Sequence, residues 1–250
     1  MHMNKKLTVL LGWVCVLAAS NAAATTWTYS STGPVLAGGL SASAAAISAA
    51  NATTSAITAT TAYYSGGLGV TSLGETTTSP QHAIDNNGAI ESVLFSFSDG
   101  VAGSSYTEKV NLSSISLGYV SGDSDFSIYA YTGAGAGNPI GLTYTNLTSN
   151  GWTLIGHYNG GAAAASYSTP NSVYSSYWLV GAYNGVGGAL DTGNDYFKLA
   201  SLVGTACPAS GTLPAGCGLS VPPSSVPEPG TLLLMSVGLF GLQRYSRQRI

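Results

Sequence analysis

Through the middle of the chain, apolar and polar residues alternate in short runs. "ESVLFSF" puts Val93, Phe95 and Phe97 on one face. "SDFSIYAYT" puts Phe126, Ile128 and Ala130 on one face and Tyr129 and Tyr131 on the other. Successive side chains of a strand point to opposite faces, so each run predicts a strand. "VNLSSISLGY" alternates through Val110 and Leu112, then resumes at Ile115 and Leu117. That three-residue step shifts the phase and predicts a bulge or break at Ser113–Ser114. "GWTLIGHY", "SSYWLVGAY" and "DYFKLASLVG" predict further strands. "YWLV" carries bulk on both faces and predicts a central strand buried on both sides. No long helical period runs through the chain.

Roughly seven to ten short strands, separated by Gly, Ser, Asn and Asp, predict one all-β domain over residues 25–205, an antiparallel β-sandwich or jelly roll. Trp27, Trp152, Trp178 and the tyrosines fit its core, with a sugar-stacking face as the alternative. The stretch "SASAAAISAANATTSAITATTA", near 41–62, stands apart. Ala favours helix while Ser and Thr oppose it. It predicts a surface segment or a loosely formed helix, inserted before the main strands.

Composition changes the picture by naming a compartment. Only 7% of the 250 residues are charged, against about 25% in ordinary soluble domains. Lys5 and Lys6 precede the apolar "LTVLLGWVCVLAA", and the small residues of "SNAAA" follow. That order is a secretory signal peptide over residues 1–24, with cleavage after Ala22 or Ala24. The apolar run is 13 residues long, short of the roughly 20 that a spanning helix needs. Cys15 is discarded with it. Two cysteines remain, Cys207 and Cys217, in "CPASGTLPAGC". An exported chain with one such pair across a Pro/Gly loop points to a disulfide. A metal pair or a redox dithiol is the alternative, although redox pairs use tighter spacing.

Between Thr25 and Ser225 nine acids face two lysines, a charge of −7. No basic patch is available to neutralise phosphates, so nucleic acid is not an expected partner.

Past a linker over 206–225 the chain ends in "VPEPGTLLLMSVGLFGLQRYSRQR". The apolar run 231–242 would span about 18 Å as a helix, marginal against a hydrocarbon core about 30 Å thick. Arg244, Arg247 and Arg249 follow it, which orients the terminus to the cytoplasm and the body outside. Pro227 and Pro229 favour an extended backbone around Glu228, the form in which proteases bind substrates.

Pro-Glu-Pro, an apolar helix and an arginine cluster, in that order, resemble the PEP-CTERM sorting signal of Gram-negative bacteria, here over 226–250. The resemblance implies exosortase as partner, transient membrane anchoring through 231–242, and a link to exopolysaccharide. The body is also similar to a family of exosortase-dependent surface proteins, from roughly Tyr63 to Gly204. The resemblance rests on "GGLGVTSLGE", "SPQHAIDNNGAIESVLFSF", "LGYVSGDSDFSIYAYTG", "YWLVGAYN" and "DYFKLASLVG". It implies a destination rather than a chemistry.

Enzymatic signatures are absent from the sequence. It has no Gly-x-Ser-x-Gly, no His-Glu-x-x-His and no phosphate-binding Gly loop, and its body has only His82 and His157. The densest polar cluster is "QHAIDNNGAIES", with His82, Asp85, Asn86, Asn87 and Glu91. It supports three readings: an Asx-rich turn with Gly88 at positive φ, a calcium site, or a His82–Asp85 dyad. "SGDSDFS" adds Asp123 and Asp125 two residues apart. Should the two turns meet at one end of the sandwich, Asp85, Glu91, Asp123 and Asp125 form an oxygen site suited to calcium. No other cofactor is expected. The sequence is thus that of a secreted, exosortase-processed surface or exopolysaccharide-matrix protein with a structural or adhesive role and no enzymatic activity. A carbohydrate-binding module is the alternative, and a hydrolase the third.

Overall fold

Alternation of apolar and polar residues becomes strand after strand in the computed structural model, which describes residues 23–75, 80, 82–101, 107–208 and 213–217. Of the signal peptide expected over 1–24, residues 1–22 lie outside them, as do Pro227, Glu228, Pro229 and the helix expected over 231–242. Among the described residues no helix is long and apolar enough to cross a membrane.

Fourteen strands are formed: β1 (Ala24–Thr28), β2 (Val35–Ala37), β3 (Leu40–Ala49), β4 (Ile57–Thr58), β5 (Thr60–Tyr64), β6 (Gly67–Thr71), β7 (Ile84–Asp85), β8 (Ile90–Ser98), β9 (Val110–Val120), β10 (Phe126–Tyr131), β11 (Trp152–Tyr158), β12 (Ser166–Ser168), β13 (Tyr177–Ala182) and β14 (Tyr196–Ala206). They build two antiparallel sheets. One runs β12-β9-β14-β6-β5, with β1 and β7 also on β14. The other runs β11-β10-β13-β8-β3-β2, with β4 on β3. The sandwich expected from the sequence is therefore present.

Between the sheets lie the residues that the alternation selects. Val93, Phe95 and Phe97 of β8, Phe126, Ile128 and Ala130 of β10, and Trp27 and Trp178 form one buried cluster with Phe197 and Leu202 of β14. The outer face of the second sheet is buried too. Tyr129, Leu179 and Trp152 pack there against Tyr144, in one short 3₁₀ turn, and Leu147, which joins that turn to a second. This cover explains β13: Trp178 and Val180 face the inner cluster while Leu179 faces the outer one. Trp27, Trp152 and Trp178 are all core residues, at most 2% exposed.

The phase shift in β9 is a bulge. Val203 of β14 faces Ser114 and Gly204 faces Leu112, so Ser113 is the extra residue. Skipping it returns Ile115 and Leu117 to the inner face with Leu112.

One expectation fails. Residues 41–49 are neither surface segment nor helix: they form most of β3, paired along its length with β8. The physical reason lies across the strand. Ala42 faces Phe97, Ala44 faces Phe95 and Ala46 faces Val93. Small residues leave room for the large side chains of β8, and tertiary packing overrides the helix preference of alanine.

The described residues fall in one compact unit ending at Cys217. Near that end Cys207, just past β14, is bonded to Cys217, and Cys217 is buried. The Lys109 ammonium donates to the Gly216 carbonyl over 2.7 Å.

Candidate functional site: an acidic cluster at one end of the sandwich

Registers bring several turns to one place. Glu91 at the start of β8, Phe126 at the start of β10 and Ala182 at the end of β13 lie side by side, because Gly181 pairs with Ser92 and Ala182 with Phe126. On the other sheet, Tyr196 at the start of β14 pairs with Asp85 and its neighbour Phe197 with Val120. The turns preceding β8, β10 and β14 therefore share this end, and they carry the acids.

Asp195 ties the turns together. Its backbone bridges to Asp123. Its Oδ1 accepts from the Asp125 N–H at 2.7 Å, and its Oδ2 from Asn86 Nδ2 at 2.6 Å. Its own N–H donates to Asn86 Oδ1 at 2.8 Å. The turn at 85–89 is the Asx turn anticipated from sequence: the Asn87 N–H donates to Asp85 Oδ1 at 2.9 Å, and Gly88 sits at φ +85°. Asp85 thus gives one oxygen to Asn87, and its Oδ2 has no hydrogen-bond partner. The His82 ring instead packs on Tyr64 with centroids 3.9 Å apart. A His82–Asp85 dyad is not formed.

The four expected metal ligands do not make one site. Asp85 and Glu91, both buried, cluster with the half-buried Glu75. The Asp85 N–H donates to Glu91 Oε2 at 3.3 Å, and the Ser72 N–H to Glu75 Oε2 at 2.7 Å. Burial pushes Glu91 up to about 10, helped by the charges of Asp85 and Glu75 and by its hydrogen bond with Glu75. Burial first, then Glu75 and Asp195, lifts Asp85 to about 7 against the opposing Asn87 bond. A Glu91 that keeps its proton resolves the repulsion without an ion.

Asp123 and Asp125 instead converge with Asp191, one carboxylate oxygen of each lying within 4.8 Å of the others. Asp125 is 1% exposed. Its burial, and less so the charges of Asp123 and Asp191, raises its pKa against the Gly160 hydrogen bond. Asp195 rises to about 7, through burial first and then Asp125, Asp123 and Asp191. Neither lysine of the body neutralises this end. Lys109 is held at Gly216, and Lys198 lies 4.6 Å from the Tyr119 ring centroid and 5.1 Å from that of Tyr64.

Sequence reasoning missed Asp191, Asp195 and Glu75 as partners. A signal for two of them exists: "DTGND" places Asp191 and Asp195 around a glycine just before β14, much as "SGDSD" precedes β10. The long separation along the chain hid their meeting.

The fold and the chain's end together define a class: a two-sheet antiparallel body followed by a sorting tail. Residues 225–249 match the PEP-CTERM protein-sorting motif. The chain therefore carries a PEP-CTERM sorting signal over these residues, which implies secretion and processing by exosortase as the sorting partner. No curated protein and no solved structure matches the chain.

Proposed function

We propose that this protein is an exosortase-processed component of the cell surface or the exopolysaccharide matrix, with a structural or adhesive rather than an enzymatic role. The sorting motif at 225–249 is the observation that carries this. Its apolar stretch, marginal as a permanent span, is a temporary stop that is removed once the body has crossed.

Packing of the body supports the structural role. A sugar-stacking platform needs exposed flat rings, and Trp27, Trp152 and Trp178 are all buried. Tyr63, 39% exposed, is the one aromatic among the exposed large hydrophobics of the described residues. His157 holds the fold: its Nδ1 meets Ser127 Oγ and its Nε2 the Val186 carbonyl, both at 2.8 Å. Such a ring is already committed at both nitrogens, unlike a general base waiting for substrate.

Mass spectrometry of the mature C-terminus tests the proposal, on extracellular and membrane fractions of cells with and without exosortase. The expected extracellular form lacks residues 231–250, and the enzyme-deficient strain retains them in its membrane fraction. Intact peptides over 242–249 in extracellular material would overturn it.

A further inference from the structure

We propose that Asp123, Asp125 and Asp191 form a calcium site at the end of the sandwich where β10 and β14 begin. The three carboxylates come from two loops far apart in the chain, yet one oxygen of each lies within 4.8 Å of the others.

The hydrogen bonds hold each carboxylate by one oxygen. Asp123 Oδ1 accepts from the Ser124 N–H at 2.8 Å. Asp191 Oδ1 accepts from the Gly193 N–H at 2.8 Å. Asp125 Oδ1 accepts from the Gly160 N–H at 3.0 Å. The second oxygen of Asp125 is the decisive one. Asp125 Oδ2 is buried and has no hydrogen-bond partner, on a side chain only 1% exposed. A buried carboxylate oxygen without a partner costs free energy, and like charges around it add to the cost. A cation bound by the three acids removes both penalties at once.

The backbone also comes close to the cluster. Gly193 passes against the cluster, and a Cβ there would stand 2.9 Å from Asp191 Oδ1 and 3.8 Å from Asp123 Oδ2. Asp195 fixes the cup from behind through the Asp125 N–H.

The ligand chemistry selects the ion. All three donors are carboxylate oxygens, which suit a hard cation, and their loop origin tolerates the irregular, higher coordination of calcium better than the strict octahedron of magnesium. Extracellular calcium modules bind with Kd of about 10⁻⁴–10⁻³ M, which sets the range to be titrated.

The test uses purified secreted protein. Isothermal titration with calcium is expected to show one site per chain. Thermal unfolding in 10 mM calcium is expected to exceed that in chelator by roughly 3–10 °C. Asp191 is exposed, so Asp191→Asn keeps the fold, unfolds in chelator no earlier than wild type, and loses both the heat signal and the shift. Glu91→Gln, in the neighbouring cluster, keeps both. Identical wild-type melting in calcium and chelator overturns the proposal, as does a full calcium shift in Asp191→Asn. An equal shift with magnesium overturns the assignment to calcium.

Discussion

Glu91 shows how one side chain can set the pH response of the fold. It is fully buried beside Asp85 and Glu75, and its pKa rises from 4.5 to about 10. The folded state therefore binds a proton that the unfolded state releases. Stability from this group is fully present below about pH 4.5 and is lost as pH climbs towards 10, at no more than about 1.4 kcal/mol per pH unit for one proton. Asp85 and Asp195, both near 7 in the fold, act in the same direction at lower pH. Melting temperature in chelator is expected to fall between pH 5 and 9, and more gently in Glu91→Gln, which keeps the shape but carries no titrating proton. Parallel melting curves against pH for the two proteins would contradict this account.

At the scale of the element, β3 is the strand that its own composition argues against. Its alanines are there because β8 opposite carries Phe95 and Phe97, and Phe97 is itself wedged edge-on against Trp27 at 4.9 Å. Alanine in β3 is thus a fit to a large neighbour. Ala42, 0% exposed, has no room to grow, whereas Ala45 on the same strand is exposed. Ala42→Leu is expected to destabilise by about 1–3 kcal/mol through overpacking, and Ala45→Leu to stay within about 0.5 kcal/mol of wild type. Denaturant unfolding of the two variants measures this. Equal, small effects would mean that the segment is a surface appendage after all.

For the whole molecule, the Cys207–Cys217 bond closes the compact body where the chain leaves β14. The partners are ten positions apart in the chain. In the chain-entropy model a loop of this size restricts the unfolded chain by about 3 kcal/mol. Cys207→Ser with Cys217→Ser is expected to lower the melting temperature by roughly 5–12 °C at that cost. Peptide mapping without reduction should recover the linked pair from wild type, and two thiols free for alkylation in the native protein would refute the bond. The proposed calcium site would act on the same scale, since it lies where Asp123 and Asp125, before β10, meet Asp191, before β14.

Local physics was enough for much of this. Period-two alternation identified β8 and β10 and the residues sharing each face, and bulk on both faces marked β13 as a strand buried on both sides, because a strand's side chains obey a rule that needs only neighbours in sequence. The extra residue at Ser113 was visible for the same reason. The order of Pro-Glu-Pro, apolar run and arginines specified the sorting tail without any fold. Sequence also marked the Asx turn at Asp85, since that turn is a contact between residues two apart. What it did not contain was which turns meet. Whether Asp123 and Asp125 would face Asp85 and Glu91 or Asp191 depends on the strand order β9-β14 and β10-β13, and strand order is settled by non-local pairing. The same cause hid β3: alanine's local preference is weak, and Phe95 and Phe97, more than fifty residues away in the chain, decided its structure.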